Sequence, residues 1–251
     1  MLRHIPNFLT LLNLLCGCIA TVLLFRDDVS IISISIVIFL GILFDLLDGL
    51  FARKLNVQTK LGLELDSLAD LITSGLVPGI IMFNLITNAL KINLDEITIL
   101  SFDTYSIFLI ELIPYLGFII TLSSAYRLAN FNLIEDNKNY FVGLPVPANT
   151  LFILSIFVIA KHSEISFIST LLENYIFLIF IVLTSSFLLN SKIKLISLKF
   201  KNLKFNKENN YRYLLIILSV ISTLILGYFS IPLILFLYIF VSKFYFKNIR
   251  D

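Results

Sequence analysis

Apolar runs close to the length of a membrane span recur along this sequence, and short polar segments separate them. A run of about 20 apolar residues is enough for one helix to cross the hydrocarbon core of a bilayer. Lipid offers no hydrogen-bond partner to a peptide group, so a spanning backbone must be a helix or a closed barrel. Hydrophobic residues make up 58% of the chain and charged residues only 14%. The sequence therefore predicts an all-α, polytopic membrane helical bundle.

The polar breaks divide the chain into about eight transmembrane helices. We expect these helices at residues 6–25, 30–54, 61–87, 105–133, 146–161, 165–189, 212–228 and 230–246, with a polar loop at 88–104. The same pattern predicts a catalytic membrane domain over residues 1–190. A basic cytoplasmic loop and a C-terminal helical hairpin would then occupy residues 191–251.

Basic residues are distributed unevenly between the expected loops. If both termini lie inside, most of the 19 Lys and Arg residues fall on the inner side, as the positive-inside rule requires. This orientation puts the connection between the second and third helices in the cytoplasm. The basic stretch from Lys192 to Arg212 is read as an ordinary cytoplasmic loop, or as a surface helix that attracts anionic lipid. It lacks any nucleic-acid-binding module, so we expect no nucleic acid partner.

Four aspartates interrupt the second and third apolar runs: Asp45, Asp48, Asp66 and Asp70. A carboxylate at membrane depth costs roughly 2.5–3.5 kcal/mol even on the mildest insertion scale. Asp45 and Asp48 lie about 60° apart on one helix face, and Asp66 and Asp70 are one turn apart on the next helix. A short polar turn joins the two helices, so we expect the carboxylates to converge. Clustered hard oxygen ligands suit Mg²⁺ or Mn²⁺.

Small residues accompany these aspartates. Gly49 and Ala52 share the face of Asp45, and Gly62 shares the face of Asp66, which would leave room for a ligand. Arg53 ends the second helix, where it could meet a phosphate or the carboxylates. The alternative is an ion-pair network in which Arg53, Lys54 and Lys60 neutralise the aspartates.

These residues carry a resemblance to a known family. The pattern Asp45-x-x-Asp48-Gly49-x-x-Ala52-Arg53, then eight residues, then Gly62-x-x-x-Asp66-x-x-x-Asp70, resembles the signature of the CDP-alcohol phosphotransferases. The resemblance implies that Asp45, Asp48, Asp66 and Asp70 hold a pair of divalent cations on a CDP diphosphate. It also implies that Asp70 is the general base on the acceptor alcohol, and that the protein is a homodimer.

A second part of the resemblance concerns the first helix. The run Pro6-Asn7-x-x-Thr10 is similar to the opening of that family's first helix. The alternative interpretation is an ordinary helix start with a polar cap.

Three further stretches resemble the branch of the family that forms phosphatidylserine: Ser67-Leu68-Ala69, Arg127-Leu-Ala-Asn130-Phe-Asn132 and Gly143-Leu-Pro-x-Pro-Ala148. They imply CDP-diacylglycerol and L-serine as substrates, in a bacterial cytoplasmic membrane. Arg127 would bind the serine carboxylate or a phosphate, or else snorkel to the headgroups. Asn130 departs from the pattern, since the branch usually has a basic residue there. The alternatives are glycerol 3-phosphate or inositol phosphate as acceptor, or a cation-coupled transporter.

Overall fold

The computed structural model describes residues 4–96, 109–133, 140–163, 165–197 and 207–247. Its α-helices are α1 (Ile5–Leu23), α2 (Ile31–Lys54), α3 (Lys60–Asp70), α4 (Val77–Glu96), α5 (Ile119–Leu133), α6 (Val146–His162), α7 (Ser166–Leu172), α8 (Tyr175–Asn190), α9 (Lys207–Leu226) and α10 (Ser230–Lys247). A π-helical segment, Leu71–Leu76, joins α3 to α4, and 3₁₀ turns occupy Ile113–Phe118 and Gly227–Phe229. Two short strands, β1 (Tyr140–Val142) and β2 (Lys194–Ile196), complete the described elements.

Five helical segments of the described chain are long and apolar enough to cross a membrane: Ile5–Leu23, Ile31–Lys54, Lys60–Ile92, Leu109–Leu133 and Asn209–Lys247. The pair α7 and α8, bent by 74°, would make a sixth if it is one span. Large apolar side chains on the outer faces of α2, α8 and α9 are exposed, which suits contact with lipid. The predicted class, an all-α membrane protein, is confirmed, while the number of eight spans stays a prediction.

The last of these segments is folded back on itself. The aromatic rings of Tyr211 in α9 and Tyr245 in α10 lie 5.2 Å apart, although they are separated by most of both helices. Gly227, with a φ of 54°, lies in the turn between them, and a positive φ is most easily adopted by glycine. The two helices therefore pack side by side and run antiparallel.

Besides the expected helix 165–189, which is divided into α7 and α8 with a bend of 74°, two features of the fold differ from the prediction. The loop expected at 88–104 is wrong for its first part, because α4 continues to Glu96. Ala89 and Leu90 are buried in the core, so the apolar face of α4 keeps packing beyond residue 87. Residues 97–104 of that loop lie outside the described residues, as do residues 198–206 of the basic stretch.

The second difference is the small antiparallel sheet formed by β1 and β2. Tyr140 pairs with Ile196 and Val142 with Lys194. This sheet joins the chain on either side of residue 190, where we expected the catalytic domain to end. That division stays a prediction, although β1, before residue 190, is hydrogen-bonded to β2, after it.

The centre of the bundle is the long helix formed by α3, the π-helical segment and α4. Its residues Ile81, Met82 and Ile86 are completely buried. Side chains from α1, α2, α6 and α8 pack around them in one continuous apolar core. Asp66 and Asp70, at the start of this long helix, therefore lie on the helix around which the core packs.

Candidate functional site

The connection between α2 and α3 sets the direction of both helices. Asn56 adopts the left-handed conformation, with a φ of 52°, which asparagine tolerates better than most residues. The N–H groups of Asn56 and Val57 donate to carbonyls in the last turn of α2, at 3.3 and 3.1 Å, which is a Schellman motif. Thr59 then caps α3 by accepting from the N–H of Gly62 at 3.0 Å. This compact reversal returns the chain toward the carboxylates of α2.

Asp45, Asp48 and Asp66 meet at one point. One carboxylate oxygen from each of these residues lies within 4.8 Å of the other two. Asp48 is only 5% exposed, and Asp45 and Asp66 are half-buried. The Oδ1 atom of Asp66 is buried and has no hydrogen-bond partner among the described residues. Three hard oxygen donors, one of them unpartnered, fit a divalent cation such as Mg²⁺ or Mn²⁺.

Asp70 lies at the edge of this triad. It is the last residue of α3 and is 7% exposed. Its carboxyl group lies close to those of Asp45, Asp48 and Asp66, and its Oδ1 accepts the amide N–H of Asn13 at 3.2 Å. The structure brings all four predicted aspartates together, with three in metal-binding proximity and the fourth held by a hydrogen bond.

Helix α1 forms one side of the site. The spacing of the four aspartates in the sequence does not indicate this contribution. Helix α1 packs along both α2 and α3. The Thr10 hydroxyl lies 2.5 Å from Oδ2 of Asp48, to which it can donate, and 3.0 Å from the carbonyl of Pro6. The N-cap of α1 is His4, without a side-chain cap, so Thr10 belongs to the aspartate cluster and does not cap the helix. Asn13 was missed by sequence reasoning, although an amide three residues after Thr10 marks the same helix face.

The small residues lie at the end of the bundle where α1 and α3 begin and α2 ends. A Cβ on Gly49 would be 3.4 Å from the Arg53 guanidinium, which therefore folds over this glycine. A Cβ on Gly62 would be 3.1 Å from Oδ1 of Asn7. Ala52 is half-buried and Arg53 is exposed. The small side chains of Gly49, Ala52 and Gly62 and the guanidinium of Arg53 therefore lie at the same end of the bundle.

The alternative ion-pair network is not seen in the described part of the chain. Arg26 and Asp28, which form an ion pair at 2.6 Å, both precede α2 and lie outside the aspartate motif. Arg53, Lys54 and Lys60 form no such pair with the four aspartates among the described residues. The described residues therefore do not support the ion-pair alternative.

The π-helical segment directly after Asp70 is braced by hydroxyl groups. Thr121 donates to the carbonyl of Gly75 at 3.0 Å, and Thr150 donates to that of Ser74 at 2.9 Å. A π-helix displaces backbone bonds from their α-helical partners, so donors from α5 and α6 satisfy its carbonyls. π-helical segments are frequent at functional sites, and this one follows the fourth aspartate without a break.

Arg127 is engaged away from the carboxylates. Its guanidinium donates to the carbonyls of Val142 at 2.8 Å, Leu189 at 2.6 Å and Gly143 at 3.2 Å. These bonds tie α5 to β1 and to the end of α8. Gly143 has a φ of 71°, and a Cβ there would be 2.6 Å from the Arg127 guanidinium. Arg127 therefore connects three backbone carbonyls of β1, the following turn and the end of α8 in this structure.

Asn132 in the same stretch contacts the helix that carries Asp66. Asn132, near the end of α5, donates from Nδ2 to the hydroxyl of Ser67 at 2.9 Å. Ser67 follows Asp66 directly, so the end of α5 contacts the cluster from the side of α3. Asn130, which departs from the expected basic residue, is half-buried.

Together these features define a helical membrane protein with a cluster of buried and half-buried aspartates. Residues 3–187 match the family model of the CDP-alcohol phosphatidyltransferases, and the chain therefore belongs to that family. This membership accounts for the spacing of the aspartates and for the small residues between them.

Its relatives include several proteins with one name. The chain is 32% identical over 146 residues to the CDP-diacylglycerol–serine O-phosphatidyltransferase of Bacillus subtilis, covering 58% of this chain and 71% of the relative. It is 31% identical over 150 residues to the protein of the same name from Methanocaldococcus jannaschii, covering 60% and 58%. Archaetidylserine synthase of Methanothermobacter thermautotrophicus is 28% identical over 165 residues, covering 64% and 61%. The matches to the two archaeal proteins thus span about three-fifths of their length.

Proposed function

We propose that this protein transfers the phosphatidyl group of CDP-diacylglycerol to L-serine, giving phosphatidylserine and CMP. The observation that carries the reaction type is the convergence of Asp45, Asp48 and Asp66 within 4.8 Å, with Asp70 beside them. Family membership supports the CDP-linked donor, and the names of the relatives support serine as acceptor.

In the proposed step, the serine hydroxyl oxygen attacks the phosphorus that bears the diacylglycerol. A new phosphorus–oxygen bond forms while the bond from that phosphorus to the bridging oxygen breaks. The bonding electron pair leaves with CMP. Asp70 takes the hydroxyl proton, because an alcohol is a weak nucleophile at neutral pH without a base.

Asp45, Asp48 and Asp66, together with Asp70, would hold two divalent cations, whose positive charge would stabilise the diphosphate and the leaving CMP. The unpartnered Oδ1 of Asp66 supports this assignment. Gly49, Ala52 and Gly62 keep the approach open for the nucleotide, and Arg53 lies where it can contact a phosphate.

Arg127 was expected to bind the serine carboxylate or a phosphate, and that role stays a prediction. Its three bonds to backbone carbonyls support a different one, in which it holds the Gly143 turn against α5 and α8. Ser67 and Asn132, which lie next to Asp66, are better placed to contact the acceptor.

We further propose that the chain crosses the membrane about eight times. The antiparallel packing of α9 and α10 supports two passes within Asn209–Lys247, and the apolar helix Val146–His162 supports another. The distribution of basic residues supports a site that faces the cytoplasm. The homodimer and the bacterial cytoplasmic membrane rest on the family resemblance.

The test measures CMP release from purified protein in detergent with CDP-diacylglycerol and Mn²⁺ or Mg²⁺. L-serine, glycerol 3-phosphate and inositol phosphate are offered separately. We expect CMP to be released only when L-serine is the alcohol offered. This release should be lost on chelation with EDTA and should return when the metal is restored. Release with another alcohol would keep the mechanism and change the acceptor.

Two variants complete the test. Asp70→Asn should abolish turnover, whereas the matched control Asp28→Asn, an exposed aspartate outside the cluster, should retain it. Turnover of Asp70→Asn within a few-fold of the natural protein would remove Asp70 as the base. Cation flux through liposomes without CMP release would favour the transporter.

A further inference from the structure

Asn13 carries a fully buried amide in an apolar helix, and only the nitrogen of this amide has a hydrogen-bond partner among the described residues. It is 0% exposed. Its Nδ2 donates to Oδ1 of Asp70 at 3.2 Å. Its own Oδ1 is buried with no partner in the part of the chain that the structure describes. An amide that served only to join helices would be expected to use both ends. The one bond that Asn13 makes from its side chain is directed at the predicted base.

The orientation of the Asn13 amide follows from the chemistry of its partner. An ionised carboxylate accepts hydrogen bonds and donates none. The amide must therefore turn its N–H toward Asp70 and its oxygen away. The oxygen then points at α2, where a Cβ on Gly41 would be 3.3 Å from it. The close approach of α2 at this glycine leaves little space for the amide to rotate.

The backbone of Asn13 is fixed as well. Its carbonyl accepts the hydroxyl of Thr73 at 2.9 Å, and Thr73 lies in the π-helical segment that starts one residue after Asp70. Gly17 permits this contact, since a Cβ there would collide with the Thr73 hydroxyl. Asn13 is thus bound to the same stretch of helix through both its side chain and its main chain.

We propose that Asn13 is a positioning residue that holds one oxygen of Asp70, so that the second oxygen is directed to the acceptor hydroxyl. A carboxylate without this bond rotates about its terminal torsion, which has a broad energy profile. The proposal rests on the proposed function, in which Asp70 is the base. Correct geometry of a base relative to its proton is a requirement for proton transfer.

The experiment compares Asn13→Leu with a matched control. Leucine has a similar branched shape and suits an apolar helix. The control is Asn84→Leu, because Nδ2 of Asn84 likewise donates to a distant segment, here to the backbone carbonyl of Leu24 at the end of α1 at 2.9 Å, away from the aspartates. We expect kcat of Asn13→Leu to fall about 10- to 100-fold, since losing the orientation of a base should cost less than the roughly 10²- to 10⁴-fold that the base itself contributes, with KM for CDP-diacylglycerol within about twofold. The control should keep its kcat. Asn13→Ala serves if the leucine variant does not fold.

A double-mutant cycle tests the contact between Asn13 and Asp70. Because Asp70→Asn alone should already abolish turnover, the cycle is read from stability. Thermal unfolding midpoints of the natural protein, Asn13→Leu, Asp70→Asn and the double variant measure the coupling without any turnover. If the natural protein releases no CMP with any alcohol, the proposed function fails, and coupled midpoints still support the Asn13–Asp70 contact. An unchanged kcat in Asn13→Leu, or additive shifts of the midpoints in the cycle, would overturn the proposal.

Discussion

The contact between α1 and the π-helical segment should be intolerant of a single added methyl group. Gly17 in α1 faces Thr73, and a Cβ at this position would collide with the Thr73 hydroxyl. The next atoms that it would meet are Cα and N of Thr73, both at 3.0 Å. Because these two atoms belong to the backbone of the core helix, a rotamer change of Thr73 cannot relieve the collision. Gly17→Ala must instead push α1 away from the segment.

The size of the effect follows from this geometry. Overpacking of a well-packed core costs about 1–3 kcal/mol. In a protein of this size, each kcal/mol shifts the midpoint of thermal unfolding by about 2–4 °C. We therefore expect Gly17→Ala to lower Tm by about 2–12 °C. The displacement also lengthens the bond from Asn13 to Asp70, so turnover should fall even in protein that remains folded.

The assay is thermal unfolding in detergent together with CMP release below the transition. Cys18→Ala is the control, since Cys18 is an exposed neighbour on the same helix and should leave both quantities unchanged. Thr73→Ala in the Gly17→Ala background should recover only part of the loss, because the backbone atoms of residue 73 remain. A Tm within 1 °C of the natural protein, or full recovery by Thr73→Ala, would refute the reasoning.

Two further predictions concern residues other than the four aspartates. Thr10→Val removes the hydroxyl next to Asp48 and should raise the Mn²⁺ concentration for half-maximal activity about 10-fold, as loss of a group that orients a metal ligand typically does. A metal titration of CMP release measures this, and an unchanged midpoint would contradict it. Arg127→Lys keeps the charge but loses the planar fork of donors, so Tm should fall by several degrees while KM for serine stays within about twofold. A KM that rises more than 10-fold with an unchanged Tm would instead make Arg127 an anion receptor.

The parts of the site that sequence predicted are those determined locally. Asp45 and Asp48 on one face, and Asp66 and Asp70 one turn apart, follow from helical periodicity alone. The cost of carboxylates at membrane depth then indicates a cation without knowledge of the packing. Helix bounds were close for the same reason, since a bilayer imposes both length and hydropathy on each span.

The parts that sequence did not predict depend on contacts between distant segments. Asn13 reaches Asp70 across 57 positions of sequence, and nothing in the apolar run around Asn13 identifies its partner. The strands β1 and β2 have three residues each, too few to show a periodic pattern. Arg127 was interpreted from its charge and its neighbours in sequence, whereas its three acceptors belong to β1, the turn after it and the end of α8.

The π-helical segment Leu71–Leu76 also limits which changes of length the chain can accept. A π turn contains one residue more than an α turn would need to close its backbone bonds. Deleting one residue here would allow a regular α-helix, and the residues beyond it would keep nearly the same angular position relative to Asp66 and Asp70, because the wider π turn holds its extra residue within about one revolution. The core side chains Ile81 and Ile86 would then stay on the same side of the helix. A single-residue deletion in this segment should therefore be less damaging than one in a regular part of the same helix, where it would rotate all following residues by about 100°.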